Sequence, residues 1–516
     1  MKKNKLLYYI NHKNLIGEIE HYGYVYSLKK LILTYIATLV TGLLLAYLFR
    51  LHLTGYIVIV LFLILITPRL VIQAYRTMYE QRKFSDASKY IEKMLYYFKA
   101  HNKIITALSD AAAIFPEGEM NDVINKAIDY IYNQDEDALE AEEYNYLKNY
   151  KPITSKPIEE KALKLIELKF PTKRIKRLHK FFLQVEQNGG NPDLGIELLL
   201  NDREDWVNKI VNEQKDKAYA RKIFVILSLC LMVIALAILY YPLKNSSLNF
   251  DLSSNFIVRA ASTLTIILTM VLYVKFNKII EKSWFNDDIS KYATAEYYYK
   301  ITNYDMKKSK RNSLIYALAT LVITICLYAI TKSYVIIIMG LLITIFMYSS
   351  AEIGYNVGKK QLTSDISSAF TDWIIEVALL MQFNNVVTSI ADSYDNTPEV
   401  LKPEVEKMLI SLGDTPTSSV PFNDFCIFFN LQNINDTMDT LYSVMSASGS
   451  DVHKELHNIF KQTRIQTKTI NEQKRSNKDA VNKLYINYEI LIVCGLLLID
   501  MIFYFYGFIG NLLSII

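Results

Sequence analysis

The sequence has few cysteines and lacks the short motifs that mark common enzymes. Its 516 residues include 4 cysteines, none in a C-x-x-C pair, and three of these cysteines lie inside apolar runs. The sequence therefore indicates neither a disulfide framework nor a zinc site. No G-x-x-x-x-G-K-[ST] phosphate loop, H-E-x-x-H helix or G-x-S-x-G elbow occurs. His453 and His457 have a metal-like spacing, but no third ligand stands out, and a charged helix surface is the favoured interpretation. We expect no enzyme activity, no metal and no cofactor.

Charge of one sign is also scarce, because the formal net charge is only +5. The charges lie in blocks between apolar runs, so no direct nucleic-acid partner is indicated. Hydrophobic residues make up 51% of the chain. Seven apolar stretches have the ~17–25 residues that a membrane-spanning helix needs. They cover roughly 31–49, 54–72, 223–243, 256–274, 313–331, 333–349 and 489–509. The first lacks a small-residue cleavage site, so we do not expect a cleavable signal peptide.

The distribution of Lys and Arg predicts which segments face the cytosol. Most basic clusters fall on one side of the predicted spans, and the other side carries little more than Arg50, Lys244 and Lys332. By the positive-inside rule, the basic side is cytosolic. The sequence therefore predicts a multi-pass protein of the cell (cytoplasmic or inner) membrane, with most of its soluble mass in the cytosol.

Two of the charged residues within the predicted spans are considered as candidate sites, Arg259 and Asp500. Arg259 is close enough to the outer end of its span to extend to the membrane surface. Asp500 lies near the middle of the last span, where a carboxylate is costly. Asp500 could be a proton or ion site; a hydrogen bond between helices, or a shallower position, is the favoured alternative.

An internal repeat covers much of the chain. Residues His101–Asp110 resemble Phe383–Asp392 at an offset of 282, and the same offset aligns Pro116 with Pro398. It also aligns Ala37–Val40 with Ala319–Val322, inside the first span of each hairpin. One offset that joins two unlike regions indicates a duplicated unit rather than chance matching.

The offset shortens further along the chain. Asn212–Lys215 recurs as Asn471–Lys474 at an offset of 259, which places Gly190 on Gly449. The second copy has therefore lost residues within its cytosolic part. The acidic run Asp135–Glu143 and the proline-containing run Lys151–Pro157 are predicted to be the surplus linker of copy one.

The cytosolic segments are predicted to be helical bundles. Ile91, Met94, Leu95 and Phe98 recur at helical spacing, as do the apolar residues of Phe370–Leu380. Such helices must bury their apolar stripes against one another. Pro116 and Pro398 are expected in the first turn of the helix after the first long helix. Gly189, Gly190 and Gly449 are expected to stop helices.

The predicted fold class is all-α: a polytopic membrane protein with about seven transmembrane helices and two cytosolic antiparallel helical-bundle domains related by the repeat. The predicted domains are a cytosolic N-terminal segment 1–30, transmembrane hairpin 31–72, cytosolic domain 73–221, hairpin 222–275, basic linker 276–312, hairpin 313–350, cytosolic domain 351–488 and C-terminal transmembrane helix 489–516. Whether the tail 510–516 re-enters the bilayer is left open.

A basic stretch, Lys169–Lys180, contains five Lys and Arg residues between Lys173 and Lys180. It could contact lipid head groups or an acidic partner. A solvated helix face is an equally good interpretation, and the acidic run Asp135–Glu143 has the same two alternatives.

The segment Val185–Asn191, followed by Leu194, Leu198 and Arg203, precedes a basic helix that enters the bilayer. With the repeated arrangement of spans and helical domains, it resembles the F-domain platform proteins of type II secretion and type IV pilus machines. The resemblance is strongest to the Tad-pilus platform proteins, as though two related partners were joined in one chain. The chain departs from that family where a glycine is usual, since His101 and Phe383 stand there.

This resemblance implies an organiser of assembly rather than an enzyme. Its implied partners are a cytosolic assembly ATPase, pilin-like subunits, the lipid bilayer and further copies of the chain in a homo-oligomer. A transporter or channel component built from two repeats is the main alternative, and a membrane enzyme is the third. The candidate interaction or structural positions are Asp110, Pro116, Gly189, Gly190, Asn191, Asp392, Pro398 and Gly449, with Asp500 as the intramembrane charge.

Overall fold

Most of the part of the chain that the structure describes is helical. In the computed structural model this part comprises residues 8–9, 11–134, 139–152, 156–244, 255–281, 284–285, 294–331, 334–446 and 450–515. No strand occurs among these residues. The predicted all-α class is therefore confirmed for them.

The described residues form eighteen α-helices, numbered in chain order. They are α1 His12–His21, α2 Leu28–Leu48, α3 Leu53–His101, α4 Ile104–Ala112, α5 Glu119–Asn133, α6 Ala141–Asn149, α7 Pro157–Lys169, α8 Lys173–Asn188, α9 Asp193–Lys244, α10 Phe256–Glu281, α11 Ala295–Thr302, α12 Met306–Thr331, α13 Tyr334–Leu380, α14 Val386–Ser393, α15 Lys402–Asp414, α16 Val420–Asn423, α17 Gln432–Ser446 and α18 Ser450–Ile515. Short 3₁₀ turns cover Tyr394–Asn396 and Ile427–Phe429.

Five of the described helical stretches are long and apolar enough to cross a membrane. They are Leu28–Leu48, Leu53–His101, Asp193–Ala237, Phe256–Lys278 and Asn487–Tyr506. They coincide with five of the seven predicted spans. The other two, 313–331 and 333–349, fall on α12 and α13, between which residues 332–333 lie outside the described part. The count of seven, and the side that each loop faces, stay predictions.

Helices α2 and α3 pack as an antiparallel hairpin. Thr38 Oγ1 lies 3.1 Å from Thr67 Oγ1 across the pair. A Cβ atom on Gly42 would overlap Leu63 Cδ1, so the glycine allows the close approach of the two helices. Small residues and hydroxyl pairs are the usual contacts between helices in a bilayer.

Helices α12 and α13 form a second hairpin of the same kind. Thr320, which the 282 offset aligns with Thr38, has its Oγ1 3.2 Å from Thr344 Oγ1. Here the glycine is on the other helix, because a Cβ on Gly340 would overlap the side chain of Thr324. Both hairpins therefore have a close contact between their helices at a glycine. The glycine is on the first helix of one hairpin and on the second helix of the other.

The residues of the predicted helical stripes are buried in the structure. In copy one, Ile91, Met94, Leu95 and Phe98 on α3 are at most 1% exposed. In copy two, Phe370, Trp373, Ile374 and Val377 on α13 belong to one buried cluster. Burying side chains of this size contributes about 1.5–3 kcal/mol each, so these stripes fix which face of each long helix points inward.

The helix boundaries of the two copies agree with the sequence offsets. Helices α4 and α14 begin 282 residues apart, and α8 and α17 begin 259 residues apart. The surplus of copy one lies between α5 and α7, where α6 stands, although residues 135–138 and 153–155 of this segment are outside the described part. Between α15 and α16 only the short segment 415–419 remains.

The chain divides into two compact units. Unit 1 comprises Met1–His179, Arg203–Ile289 and Gln473–Ile516, and unit 2 comprises Lys180–Asp202 and Ser290–Glu472. Unit 2 therefore includes the glycine segment of copy one. This division differs from the predicted domain boundaries, which follow the chain and stay a prediction.

Candidate functional site

The turn after the long soluble helix is built in the same way in both copies. In copy one, Asp110 Oδ2 lies 3.0 Å from His101 Nε2. In copy two, Asn384 donates from Nδ2 to Asp392 Oδ2 at 3.0 Å. Each aspartate, predicted from the repeat, thus links the second helix of the turn back to the end of the first. Both side-chain pairs are exposed. They connect the two sides of a turn that lies at the surface of the bundle.

The predicted position of Pro116 and Pro398 within the first helical turn is wrong. Helix α5 begins at Glu119 and α15 at Lys402, so both prolines lie in the link before the helix. The Pro398 carbonyl accepts from the N–H of Leu401 at 2.8 Å. A short helix, α4 or α14, also separates the long helix from this link. The residue before a proline favours an extended conformation. Such a residue can stand in a link or directly before a helix, and the sequence pattern alone does not distinguish these two cases.

The paired glycines end a helix, as predicted. Gly189 and Gly190 have φ of +73° and +103° and join α8 to α9. A Cβ on either would meet nothing within 4 Å, so the backbone conformation rather than crowding favours glycine. Asn191 Oδ1 accepts from the N–H of Asp193 at 2.9 Å and opens the next helix. Gly449 lies outside the described residues.

The acidic run and the start of the basic stretch contact each other. Lys169 Nζ lies 3.3 Å from Glu140 Oε2 and 3.7 Å from Glu143 Oε1. Lys126 bridges the same two glutamates at 3.4 and 3.3 Å. Glu143 is 1% exposed as a side chain and also caps α6 with Glu140. The described end of the acidic run, around Glu140 and Glu143, therefore packs on the bundle through lysines.

Most of the basic stretch is held within the protein. The Arg174 guanidinium lies over the Trp206 ring at 5.1 Å, and Arg177 is 8% exposed. Lys180 Nζ lies 2.8 Å from Glu376 Oε1 in unit 2, where Asn396 also donates to that oxygen at 3.3 Å. Arg174, Arg177 and Lys180 are therefore at least partly buried, and they do not form a fully solvated helix face.

A buried polar chain, which the sequence did not reveal, crosses the core of copy one. Tyr90 Oη lies 2.9 Å from His179 Nε2, His179 Nδ1 lies 3.1 Å from Glu167 Oε1, and Lys164 donates to Glu167 Oε2 at 2.7 Å. Tyr90, His179 and Glu167 are nearly inaccessible to solvent. The hydrogen bonds between these buried side chains connect α3, α7 and α8 in the core.

The electrostatics of this chain follow from burial. Burial lowers the pKa of His179, and the hydrogen bond that His179 donates to Glu167 only partly opposes that effect. Burial alone would raise the pKa of Glu167, but His179 and Lys164 outweigh it and hold the pKa below its usual range. Burial raises the pKa of Tyr90. A neutral imidazole with its proton on Nδ1 therefore donates to an ionised Glu167 and accepts from Tyr90.

Asp500 is buried inside the last apolar helix. It lies in the candidate span Asn487–Tyr506 and is 2% exposed. Its Oδ1 has no hydrogen-bond partner in the described part of the chain. The helix–helix hydrogen bond that the sequence favoured is therefore not made by this oxygen.

A second buried carboxylate, Glu489, lies on the same helix. Its Oε1 accepts from Ser228 Oγ on α9 at 2.7 Å and from Thr269 Oγ1 on α10 at 3.0 Å. Glu489 is 0% exposed, and its Oε2 has no partner among the described residues. Glu489, Val493, Leu496 and Asp500 are all buried at helical spacing, so both carboxylates face the helix bundle. The two carboxylates are 11 residues apart, which is about three helical turns. This spacing is the feature of the sequence that could have indicated that they share one face of the helix.

No group of three or more His, Cys, Asp or Glu residues able to hold a metal occurs in the described part of the chain. The His457 side chain is exposed, and the His453 side chain lies outside the described side chains. The geometry thus offers two features with functional potential: the soluble bundles joined to long helices, and the carboxylates of α18.

Comparison with known proteins finds no matching family model, no matching curated protein and no matching solved structure.

Proposed function

We propose that this chain is the membrane platform of a type II secretion or type IV (Tad-like) pilus assembly machine. In this role its soluble bundles engage a separate cytosolic assembly ATPase. Its membrane helices gather pilin-like subunits and help to extract them from the bilayer. Coupling between the two is mechanical, and the working platform is a homo-oligomer in the cell membrane.

One observation carries this proposal: in each copy a single helix runs from an apolar hairpin into the core of a soluble bundle. Helix α3 has 49 residues and α13 has 47. At 1.5 Å per residue, they are about 70 Å long. The apolar half of α3 packs on α2, and its other half contributes Tyr90, Met94 and Phe98 to the bundle core. Helix α3 is continuous from the hairpin to the bundle, with Pro68 inside it, and a displacement of the bundle is passed to the hairpin through this one helix.

The duplicated design also supports a platform. Both copies keep the long helix, the short helix after it and the aspartate that closes the turn. The sequence lacks a phosphate loop, so work done through these helices needs an ATPase on another chain. The implied chemistry at the bundle surface is protein binding rather than catalysis.

The first test is binding. The full-length protein, purified in nanodiscs, is expected to retain a secretion-type assembly ATPase and to change its rate of ATP hydrolysis. Cysteines placed at Thr106 and Thr388 are expected to be labelled from the cytosolic side only. Labelling of the two positions from opposite sides of the membrane would overturn the proposed topology.

The second test breaks the mechanical link. Ser85 is exposed in the middle of α3. Ser85→Pro removes a helical hydrogen bond and bends the helix, whereas Ser85→Ala keeps it straight. We expect the proline variant to bind the ATPase but to lose subunit assembly, and the alanine variant to keep both. Normal assembly by a folded Ser85→Pro variant would contradict transmission through α3.

The buried carboxylates favour one alternative, a proton-coupled transporter. Intramembrane carboxylates often mark ion paths, and Glu489 and Asp500 form a pair on one buried face. This alternative predicts proton flux in liposomes that Glu489→Gln and Asp500→Asn each abolish. The platform proposal predicts no flux from the wild-type protein, and a loss of stability as the main effect of either substitution.

A further inference from the structure

Unit 2 presents two bare apolar side chains next to a buried core. Ile427 is 66% exposed and Phe428 is 39% exposed, while their neighbours Phe425 and Phe429 are buried. Ile427 and Phe428 are called the apolar tip below. Large apolar side chains held together at a soluble surface usually mark a contact site.

The segment that carries the apolar tip is held in one shape. Cys426 and Asn430, on either side of it, have φ of +56° and +46°. Such left-handed conformations in non-glycine residues persist only where the surroundings enforce them. The Cys426 N–H donates to Glu404 Oε2 at 3.3 Å, and the Phe425 ring stacks on Trp373 with centroids 5.4 Å apart. Because its base is fixed, the exposure of the apolar tip is part of the native structure.

The apolar tip lies close to the membrane-proximal part of α13. The Lys359 ammonium lies over the Phe428 ring at 4.8 Å. One turn earlier, the ring of Tyr355 stacks on Tyr304 with centroids 5.0 Å apart. Tyrosines gather at the level of the lipid head groups. Lys359 lies four positions after Tyr355 on the same helix, a rise of about 6 Å. Because a lysine side chain leans back toward the start of its helix, the Lys359 ammonium lies closer to the level of Tyr355 than its backbone does.

The lipid-facing surface of α13 continues toward the apolar tip. Leu342, Ile345 and Phe346 are exposed within the predicted span. Beyond it, Ile353 is 45% exposed and Val357 is 60% exposed, one turn apart. Apolar exposure therefore extends from the hairpin to the turn that holds Lys359.

Charge around this surface matches an anionic bilayer. Lys307, Lys308, Lys310 and Arg311 open α12, and Lys359 and Lys360 lie on α13. The Lys310 ammonium lies 3.1 Å from Glu352 Oε2, so the start of α12 and this part of α13 are at the same level. Basic residues beside exposed apolar side chains are typical of interfacial membrane binding.

We propose that Ile427 and Phe428 insert into the head-group and upper acyl region of the bilayer, where Lys359 and its neighbours bind anionic lipid. The soluble bundle of unit 2 then has a second attachment to the membrane besides α13. This proposal rests on the membrane hairpin α12–α13 of the proposed function. The attachment fixes the tilt of that bundle over the bilayer.

The experiment uses full-length protein in nanodiscs of phosphatidylcholine and phosphatidylglycerol, with or without bromine atoms on the upper acyl chain. Ile427→Trp and Phe428→Trp place the probe at the apolar tip. Phe346→Trp reports on the hairpin. Thr388→Trp is the matched aqueous control, because Thr388 is exposed just beyond the far end of α13. The wild-type emission of Trp206, Trp284 and Trp373 is subtracted in each case.

Brominated lipid is expected to quench most of the added emission at positions 346, 427 and 428, and none at 388. If both tip tryptophans are unquenched by lipid and open to acrylamide while position 346 is quenched, the tip faces water or a protein partner and the proposal is overturned, with the proposed function intact. If position 346 is also unquenched, the membrane hairpin fails and both proposals fall. The two tip positions serve as independent variants.

Discussion

Asp110 and His101 meet across the turn between α3 and α4, with Oδ2 and Nε2 3.0 Å apart. The second copy makes the equivalent link with a different partner, since Asn384 donates to Asp392 at 3.0 Å. The residue that closes the turn is thus the same in both copies, although one link uses an imidazole and the other an amide. This geometry accounts for an aspartate at both positions without invoking a binding partner.

A structural role for both aspartates leads to the first prediction. Asp110→Ala and Asp392→Ala are each expected to lower the free energy of unfolding by about 1 kcal/mol or less, because exposed links contribute little. ATPase binding should be unchanged. Thermal unfolding in nanodiscs measures the first effect and co-purification the second. The controls Asp110→Asn and Asp392→Asn keep an acceptor oxygen and should cost less. Loss of ATPase binding without loss of stability would show that the aspartates form part of a docking surface.

Sequence patterns predicted the elements that depend on local periodicity. The stripe at Ile91, Met94 and Phe98 recurs every three or four residues, and all three are buried in the structure. The glycine pair at 189–190 predicted a helix end because left-handed backbone strongly favours glycine. Five predicted spans coincide with long apolar helices. A membrane-spanning helix needs a continuous run of apolar residues, and such a run is visible in the sequence itself.

Contacts between distant segments were not predictable in this way. Glu489 lies at the edge of an apolar run, and only the three-dimensional packing brings Ser228 and Thr269 to it. His179 follows several basic residues in a segment that suggests a solvated face, yet it is 1% exposed. Both depend on which helices are neighbours, and a single sequence does not specify that.

The second prediction concerns the two glycines between α8 and α9. Gly189→Ala and Gly190→Ala are each expected to lower the free energy of unfolding by about 1–2 kcal/mol, the cost of a left-handed backbone for an L-residue. Gly189→Asn should cost less, because asparagine tolerates this conformation. The midpoint of thermal unfolding provides the measurement. Equal stability of the alanine and wild-type proteins would mean that the turn can adopt another backbone conformation.

The third prediction tests the close contact inside the second hairpin. Gly340→Ala places a methyl group against Thr324, and overpacking of this kind costs about 1–3 kcal/mol. Gly340→Ala combined with Thr324→Gly should recover part of the loss, although the new helical glycine costs about 1 kcal/mol. Gly354→Ala is the control, because a Cβ there meets nothing within 4 Å. If Gly340→Ala and Gly354→Ala unfold at the same temperature, the helices are not in close contact at Gly340.

The fourth prediction is a pH dependence that originates at His179. Its pKa in the folded protein is below the ordinary value of 6.5 because the imidazole is buried. Between the two pKa values the unfolded chain binds a proton that the folded protein does not. The stabilising contribution is therefore complete above about pH 6.5 and declines as the pH falls toward the folded pKa, by up to about 1.4 kcal/mol per pH unit.

Thermal unfolding between about pH 7.5 and about pH 5.5 measures this effect, within the range where histidine normally titrates. His179→Gln keeps a polar side chain that does not titrate, so its stability should depend less on pH over this range, even if it is lower throughout. Tyr90→Phe leaves the acceptor nitrogen of a buried ring without its donor and should cost about 1–3 kcal/mol at neutral pH. A pH dependence of stability that is unchanged in His179→Gln would show that it does not originate at His179.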